Sequence, residues 1–200
     1  MNRLRQRTDD PDLELVRRCQ DGDLSAFGDL VRRHQQAIFA FCVRFLKNTE
    51  DAEDIAQETF VQAYKNIGRF RPKAKFATWL FTIARNLSLN FIRDKRPSAY
   101  MAVSVDDDEH FVTLTAASSS RPDNIADSRE TVAQVRRCID KLSADHRMII
   151  VLRDLEGLSY EEIGEVMKCR AGTVKSRLSR ARACLKEIIA AEMSWDDGLI

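Results

Sequence analysis

Three stretches of the chain gather charge of one sign, and each sets out a different chemistry. From Lys168 to Lys186 stand seven bases (Lys168, Arg170, Lys175, Arg177, Arg180, Arg182 and Lys186) and no acid, with Thr173 and Ser176 among them. Guanidinium and ammonium groups suit phosphates and guanine edges, and hydroxyls add short hydrogen bonds, so the stretch is equipped to read duplex DNA. From Lys65 to Arg96 there are nine bases against one acid, Asp94, interleaved with Phe70, Phe76, Trp79, Phe81 and Phe91. Cations among flat rings suit single-stranded DNA, whose backbone needs neutralising and whose unstacked bases need partners. Spacing alone does not separate such rings from core aromatics, and Phe81 and Phe91 read more readily as core. From Glu50 to Glu58 there are five acids and no base. DNA would be repelled there, so the face is either merely solvated or the docking site of a protein.

A reading helix needs a companion that fixes its angle. Ser159 and Glu162 have the spacing of a capping box and open a short helix to about Met167, followed by a tight turn and a basic helix from about Arg170 to Ala190. These are the lengths of a helix-turn-helix. Ile163, Val166 and Met167 on the first helix and Val174 and Leu178 on the second form a small shared core, and Gly164 permits their close approach. The second helix then turns Thr173, Lys175, Ser176, Arg177, Arg180 and Arg182 to solvent, and its free amino-terminal amides, near Arg170, attract a phosphate. The turn position where glycine would be easiest is Lys168, at a cost of about 1 kcal/mol for a left-handed backbone. Ahead of this unit, Asp127 to Leu142 reads as a helix, and Ser143 caps another that carries Met148, Ile149, Val151, Leu152 and Leu155 and ends near Gly157.

The amino-terminal half reads as four helices. Asp10-Pro11 offers a cap and first-turn proline for a short helix through Cys19, ended by Asp21-Gly22. A second runs from near Asp23 to Lys47, with Phe27, Leu30, Val31, His34, Ile38, Phe41, Cys42 and Phe45 at three- and four-residue spacing. Thr49 can cap a third, with Ala52, Ile55, Ala56, Phe60, Ala63 and Ile67 inward, and the fourth runs from about Phe76 to Arg93. Residues 97–126, with Pro97, Asp106 to Glu109, Ser118 to Ser120 and Pro122, hold no period and read as a flexible acidic linker. The fold class is therefore all-α: two small helical domains, 1–96 and 127–200, joined by the linker 97–126.

Other classes fall away on the same residues. Five scattered cysteines and three isolated histidines have no metal-site spacing, so no metal or cofactor is expected and the thiols read as free. No phosphate loop and no Ser/His/Asp or Cys/His set nominates an enzyme. No stretch approaches the roughly 18 apolar residues that span a bilayer, so a cytoplasmic protein without a membrane segment is expected.

The run Asp51-Ala-Glu-Asp-Ile-Ala-Gln-Glu-Thr-Phe-Val-Gln-Ala-Tyr64 resembles the polymerase-clamp-binding helix of extracytoplasmic-function sigma factors. Phe76-Ala-Thr-Trp-Leu-Phe-Thr-Ile-Ala-Arg-Asn86 resembles their promoter-melting segment, and Leu158 to Gly164 with Gly172 to Arg182 their −35 reader. The resemblance implies that the first domain binds core RNA polymerase and the −10 element, the second the −35 element and the polymerase flap. Carried over by position, Asn86 captures a flipped −10 base with Lys75, Phe76, Trp79 and Arg85 nearby. Arg170, Thr173, Lys175, Ser176, Arg177 and Arg180 read the −35 element, and Asp51, Asp54, Gln57 and Glu58 face the clamp. An anti-sigma factor is implied as a further partner. The alternative is a two-domain helix-turn-helix repressor or activator acting without polymerase, which leaves the aromatic basic segment and the acidic helix without purpose. In the sigma reading the linker leaves the separation of the two domains undefined until polymerase fixes it.

Overall fold

The structure, a computed structural model, describes residues 10–95 and 125–196. Eight α-helices follow one another: α1 Leu13–Gln20, α2 Leu24–Leu46, α3 Thr49–Asn66, α4 Phe76–Lys95, α5 Ile125–Lys141, α6 Ala144–Ile150, α7 Tyr160–Met167 and α8 Ala171–Asp196. Among the described residues there is no strand. A single 3-10 turn, Ile67–Arg69, follows α3, and a π turn, Val151–Leu155, extends α6. The expected linker lies outside the described residues except for Ile125 and Ala126, which open α5 two residues ahead of the expected start.

Local signals set most helix ends, though not always through the expected residue. Asp23 caps α2, its carboxylate accepting from the Ser25 and Ala26 amides at 2.9 and 3.3 Å. Asn48, rather than Thr49, caps α3 by accepting from the Asp51 amide at 2.9 Å. Asp10 does not cap α1 as the Asp10-Pro11 pair suggested; Asp12 takes the cap position and Asp10 reaches elsewhere. Ser159 and Glu162 form the capping box of α7, with Ser159 N donating to Glu162 Oε2 at 2.8 Å and Glu162 N to Ser159 Oγ at 3.2 Å. Lys168 is left-handed at φ 57°, as the missing glycine required, and so is Lys47 at the end of α2.

In the first half α2, α3 and α4 pack around Leu30, Ile38, Phe41, Phe45, Ala52, Ala63, Phe76, Leu80 and Ala84, all buried. In the second, Met148 to Leu152 form an unbroken buried run that meets Ile163, Val166, Val174 and Leu178. Two helices can cross that tightly only where a side chain is missing: a Cβ on Gly164 would stand 2.7 Å from the Cys169 carbonyl oxygen.

The two halves do not stand apart. α4 lies against α7, and the end of α2 against α6 and the π turn. The seam is polar: the Arg147 guanidinium, buried, donates to the carbonyls of Phe45 at 3.0 Å, Leu142 at 2.8 Å and Asp140 at 3.3 Å. Arg44 pairs with Glu156 at 2.7 Å and Lys75 with Glu162 at 3.0 Å. The separation expected to be undefined is thus fixed by ion pairs and backbone acceptors that no period in the sequence announces.

Replacing Gly164 with Ala should lower stability by about 1 to 3 kcal/mol, the usual cost of forcing a methyl group into a closed contact. Thermal unfolding followed by circular dichroism checks it; an unchanged midpoint would mean the α7–α8 turn relaxes freely.

Candidate nucleic-acid interface

The basic helix α8 presents the face its spacing foretold. Val174 and Leu178 are buried against Ile163, Val166 and Met167, while Lys175 and Arg170 are exposed and Thr173, Ser176, Arg177 and Arg180 partly so. Arg170 stands one residue ahead of the helix, its carbonyl accepting from Val174 N at 3.0 Å. Ser176 Oγ donates back to the Thr173 carbonyl at 3.0 Å, which leaves its lone pairs toward solvent. Arg182 departs from the set: Asp154 holds its guanidinium through two hydrogen bonds of 3.2 and 2.5 Å, so it fastens α8 to the preceding turn.

The aromatics of the other basic stretch separate into two kinds. Phe76 and Phe81 belong to the core, whereas Trp79 is only partly buried and packs on Phe70 and Phe76 with ring centroids 5.1 and 5.7 Å apart. Trp79 and Asn86 face an open groove of about 550 Å³ that Gln62, Asn66, Phe70 and Arg71 also line. Arg85 donates to the Asn86 side-chain oxygen at 3.2 Å, which turns the Asn86 amide hydrogens outward as donors. Phe76 lies beneath Trp79 and supports its ring. Lys75 stands outside the groove, on Glu162.

The acidic stretch forms a strip along α3. Asp54 and Gln57 are exposed and Asp51 and Glu58 partly so; Lys95 at the end of α4 pairs with Asp51 at 2.8 Å. The strip does not stop at Glu58. Val61 and Tyr64 continue it at helical spacing, both exposed, and Leu24 adds a third exposed apolar side chain. Phe27 meets the Tyr64 ring edge-on at 5.1 Å. Sequence reasoning weighed only the acids; the signal it passed over was the same three- and four-residue spacing carried two turns further. Beside the strip α3 supplies Gln62 and Asn66 to the groove, and Gln62 Nε2 donates to Glu58 Oε1 at 2.7 Å, which joins the two.

The packing of the halves brings one edge of each basic stretch to a shared cleft. Lys73 and Lys75 face Arg170 and Ala171 across it, with Glu161, Glu162 and Glu165 of α7 between them, and Glu165 also borders the aromatic groove. Glu162 is held below the usual carboxylate range: burial pushes it up, but the Ser159 backbone and Lys75 together outweigh that. Among the described residues no group of histidine, cysteine and carboxylates is arranged to hold a metal, and no helix is long and apolar enough to cross a membrane. Cys42 and Cys138 are buried, and burial pushes the Cys42 thiol up to about 12.

Comparison with known proteins matches residues 30–97 to the family model of sigma-70 region 2 and residues 133–185 to that of sigma-70 region 4. The RNA polymerase sigma-H factor of Pseudomonas aeruginosa is 39% identical over 185 residues, 91% of this chain and 95% of that protein. The ECF RNA polymerase sigma factor SigW of Bacillus subtilis is 37% identical, over 86% of this chain and 93% of its own. Among solved structures, CnrH in complex with the cytosolic domain of CnrY superposes with a TM-score of 0.67 at 28% identity, covering 90% of this chain and 97% of that one. The sigma factor RpoE of Bartonella quintana, in complex with the anti-sigma factor NepR, gives 0.63 at 27% identity over 84% and 98%.

Two substitutions check the faces separately. Asn86→Ala should cost about 1 to 3 kcal/mol in capture of single-stranded DNA and flatten preference at one base, measured by varying each base of the melted element. Arg177→Ala should either flatten one position of the duplex site or weaken all sequences alike and lower the salt slope by about one. Unchanged binding in either variant would remove that residue from its face.

Proposed function

The chain belongs to the extracytoplasmic-function family of RNA polymerase sigma factors, and from that premise we propose how its surfaces divide the work. It is a DNA-recognition subunit that directs promoter-specific transcription initiation, and it is not an enzyme. In the proposed division, residues 1–96 dock on the polymerase clamp and open the −10 element, residues 97–126 connect, and residues 127–200 read the −35 element and meet the flap. Asn86 takes a flipped −10 base in the groove, Trp79 stacks at its side over Phe76, and Arg85 and Lys75 neutralise the backbone. Arg170, Thr173, Lys175, Ser176, Arg177 and Arg180 lie on the −35 duplex. Asp51, Asp54, Gln57 and Glu58, extended by Val61 and Tyr64, seat the clamp.

The observation that carries this reading is that α3 bears two unlike surfaces side by side: an acidic and apolar strip, and next to it, joined through Gln62 and Glu58, one wall of the aromatic groove. Polymerase bound to the strip is then mechanically one helix away from the melted base. A repressor has use for neither side, and both halves match sigma-70 regions.

In the closed packing α7 occupies the cations that −10 DNA would take: Glu162 sits on Lys75, and Glu165 borders the groove. Polymerase therefore parts the halves before both elements are read, and its binding energy offsets the lost seam contacts. CnrH and RpoE were each solved with a protein bound. An inhibitor of the anti-sigma kind, holding the closed form in the cytoplasm where polymerase works, fits this chain as well.

Charge reversal at Asp51 and Asp54 should abolish capture of core polymerase and transcription, while helical content and contact with −35 duplex by the full chain persist. Wild-type chain alone should bind promoter DNA far more weakly than the 10⁻⁸ M typical of a specific regulator, and core polymerase should restore tight binding. Tight specific binding by the free chain, indifferent to polymerase, would overturn the sigma division of labour and favour a repressor.

A further inference from the structure

The wall of the groove beside Trp79 and Asn86 is made by the segment between α3 and α4, residues 67–75, which contributes Arg69, Phe70, Arg71, Lys73 and Ala74. Little of it is held from within: Phe70 N donates to the Ile67 carbonyl at 3.0 Å and Lys73 N to Arg71 at 2.6 Å. Without outside support, a segment so short of its own hydrogen bonds would sample many positions, and a groove that must hold one flat base in one orientation would lose its width.

That support comes from the far end of the chain. Gln20, the last residue of α1, donates its Nε2 to the carbonyls of Ile67 at 2.8 Å and Phe70 at 3.2 Å, so it grips the start of the segment across 47 and 50 residues of sequence. Asp10 grips its finish: Oδ2 accepts from the Phe76 amide at 2.8 Å, in the place a helix cap would hold at the start of α4, across 66 residues. The other oxygen of Asp10 accepts from the Asp12 amide at 3.0 Å. Asp12, with a side chain only 2% exposed, holds His34 Nε2 at 2.6 Å and the Arg33 guanidinium, which pins this corner to α2. The His34 ring lies on Phe76, 5.7 Å between centroids, and Phe76 carries Trp79. Every link from Asp10 to the groove is thus buried or half-buried.

We propose that Asp10 and Gln20 are positioning residues for −10 base capture: the two ends of α1 staple the two ends of the groove wall and so set its width against Asn86. The inference rests on reading the groove as the −10 site. Both residues lie outside residues 30–97, the part that matches the sigma-70 region 2 family model. Discrimination at −10 is therefore tuned from a segment that touches no DNA.

The experiment uses the full chain reconstituted with core polymerase, and measures binding to fork-junction DNA whose single-stranded −10 bases are changed one at a time. Asp10→Ala and Gln20→Ala should each lower the ratio of consensus to substituted binding about fivefold, the size of one lost cap. Asp10→Asn should keep most of the ratio, because an amide oxygen caps as well as a carboxylate. Core binding and −35 duplex binding serve as controls and should not change. A merely structural anchor would lower the melting temperature and leave the ratio untouched, which would overturn the staple. If Asp10→Ala does not fold, Gln20→Ala decides alone. Wild-type discrimination that is indifferent to Asn86→Ala would instead overturn the groove reading, and the staple with it.

Discussion

The arrangement hangs on a buried guanidinium. Arg147 sits at the seam with three backbone carbonyls as its acceptors, one from the end of α2 and two from the end of α5 and the turn after it. Burial pushes its pKa down, the Asp140 charge opposes that, and the hydrogen bonds to carbonyls replace the water it gave up. Removing it would leave the Phe45 and Leu142 oxygens short of this donor, at a cost of about 1 to 3 kcal/mol for each group that stays buried, while the Asp140 carbonyl keeps the Lys47 ammonium. Around it Glu156, pushed upward by burial despite its Arg44 partner, adds charge to a seam across which the buried apolar residues of both halves also run on as one core. An apolar seam would lock the halves like a core. The charged part of this one can be rewetted on separation, which fits the opening proposed above.

Much of this was legible because it is local. The capping box at Ser159 and Glu162, the small core of Ile163, Val166, Met167, Val174 and Leu178, and the left-handed Lys168 all follow from spacing within about 15 residues, and the structure has each of them. The same holds for Leu30, Ile38, Phe41, Cys42 and Phe45 of the α2 stripe, whereas Phe27, Val31 and His34 are only partly buried. What was not legible is long-range. Asp10 looks like a cap for the helix beside it, and only the folded chain shows that its carboxylate serves a helix 66 residues away. Asn48 and Thr49 are both good caps, and sequence cannot choose between neighbours that differ by one residue.

The site divides in the same manner. The exposed basic face of α8 could be drawn from residue type and period, since Val174 and Leu178 turn the opposite face to the core. The fate of aromatics could not, because Phe76 and Trp79 are three residues apart and only packing sends one ring inward and leaves the other at the groove. Arg182 has the same character as Arg180 in sequence, and Asp154, 28 residues earlier, claims it.

The ion pair between Lys75 and Glu162 adds an opposing element to the salt response of this chain. DNA binding usually falls steeply with added salt, because each phosphate contact releases condensed counterions. Here the same salt also screens the half-exposed pair that helps to hold the cleft shut, so it would free Lys75 while weakening the phosphate contact proposed for it. The two effects run in opposite directions. On the proposed reading, opening of the cleft offsets a small part of the salt-driven loss, about the worth of one surface ion pair, while the other phosphate contacts keep their full salt dependence.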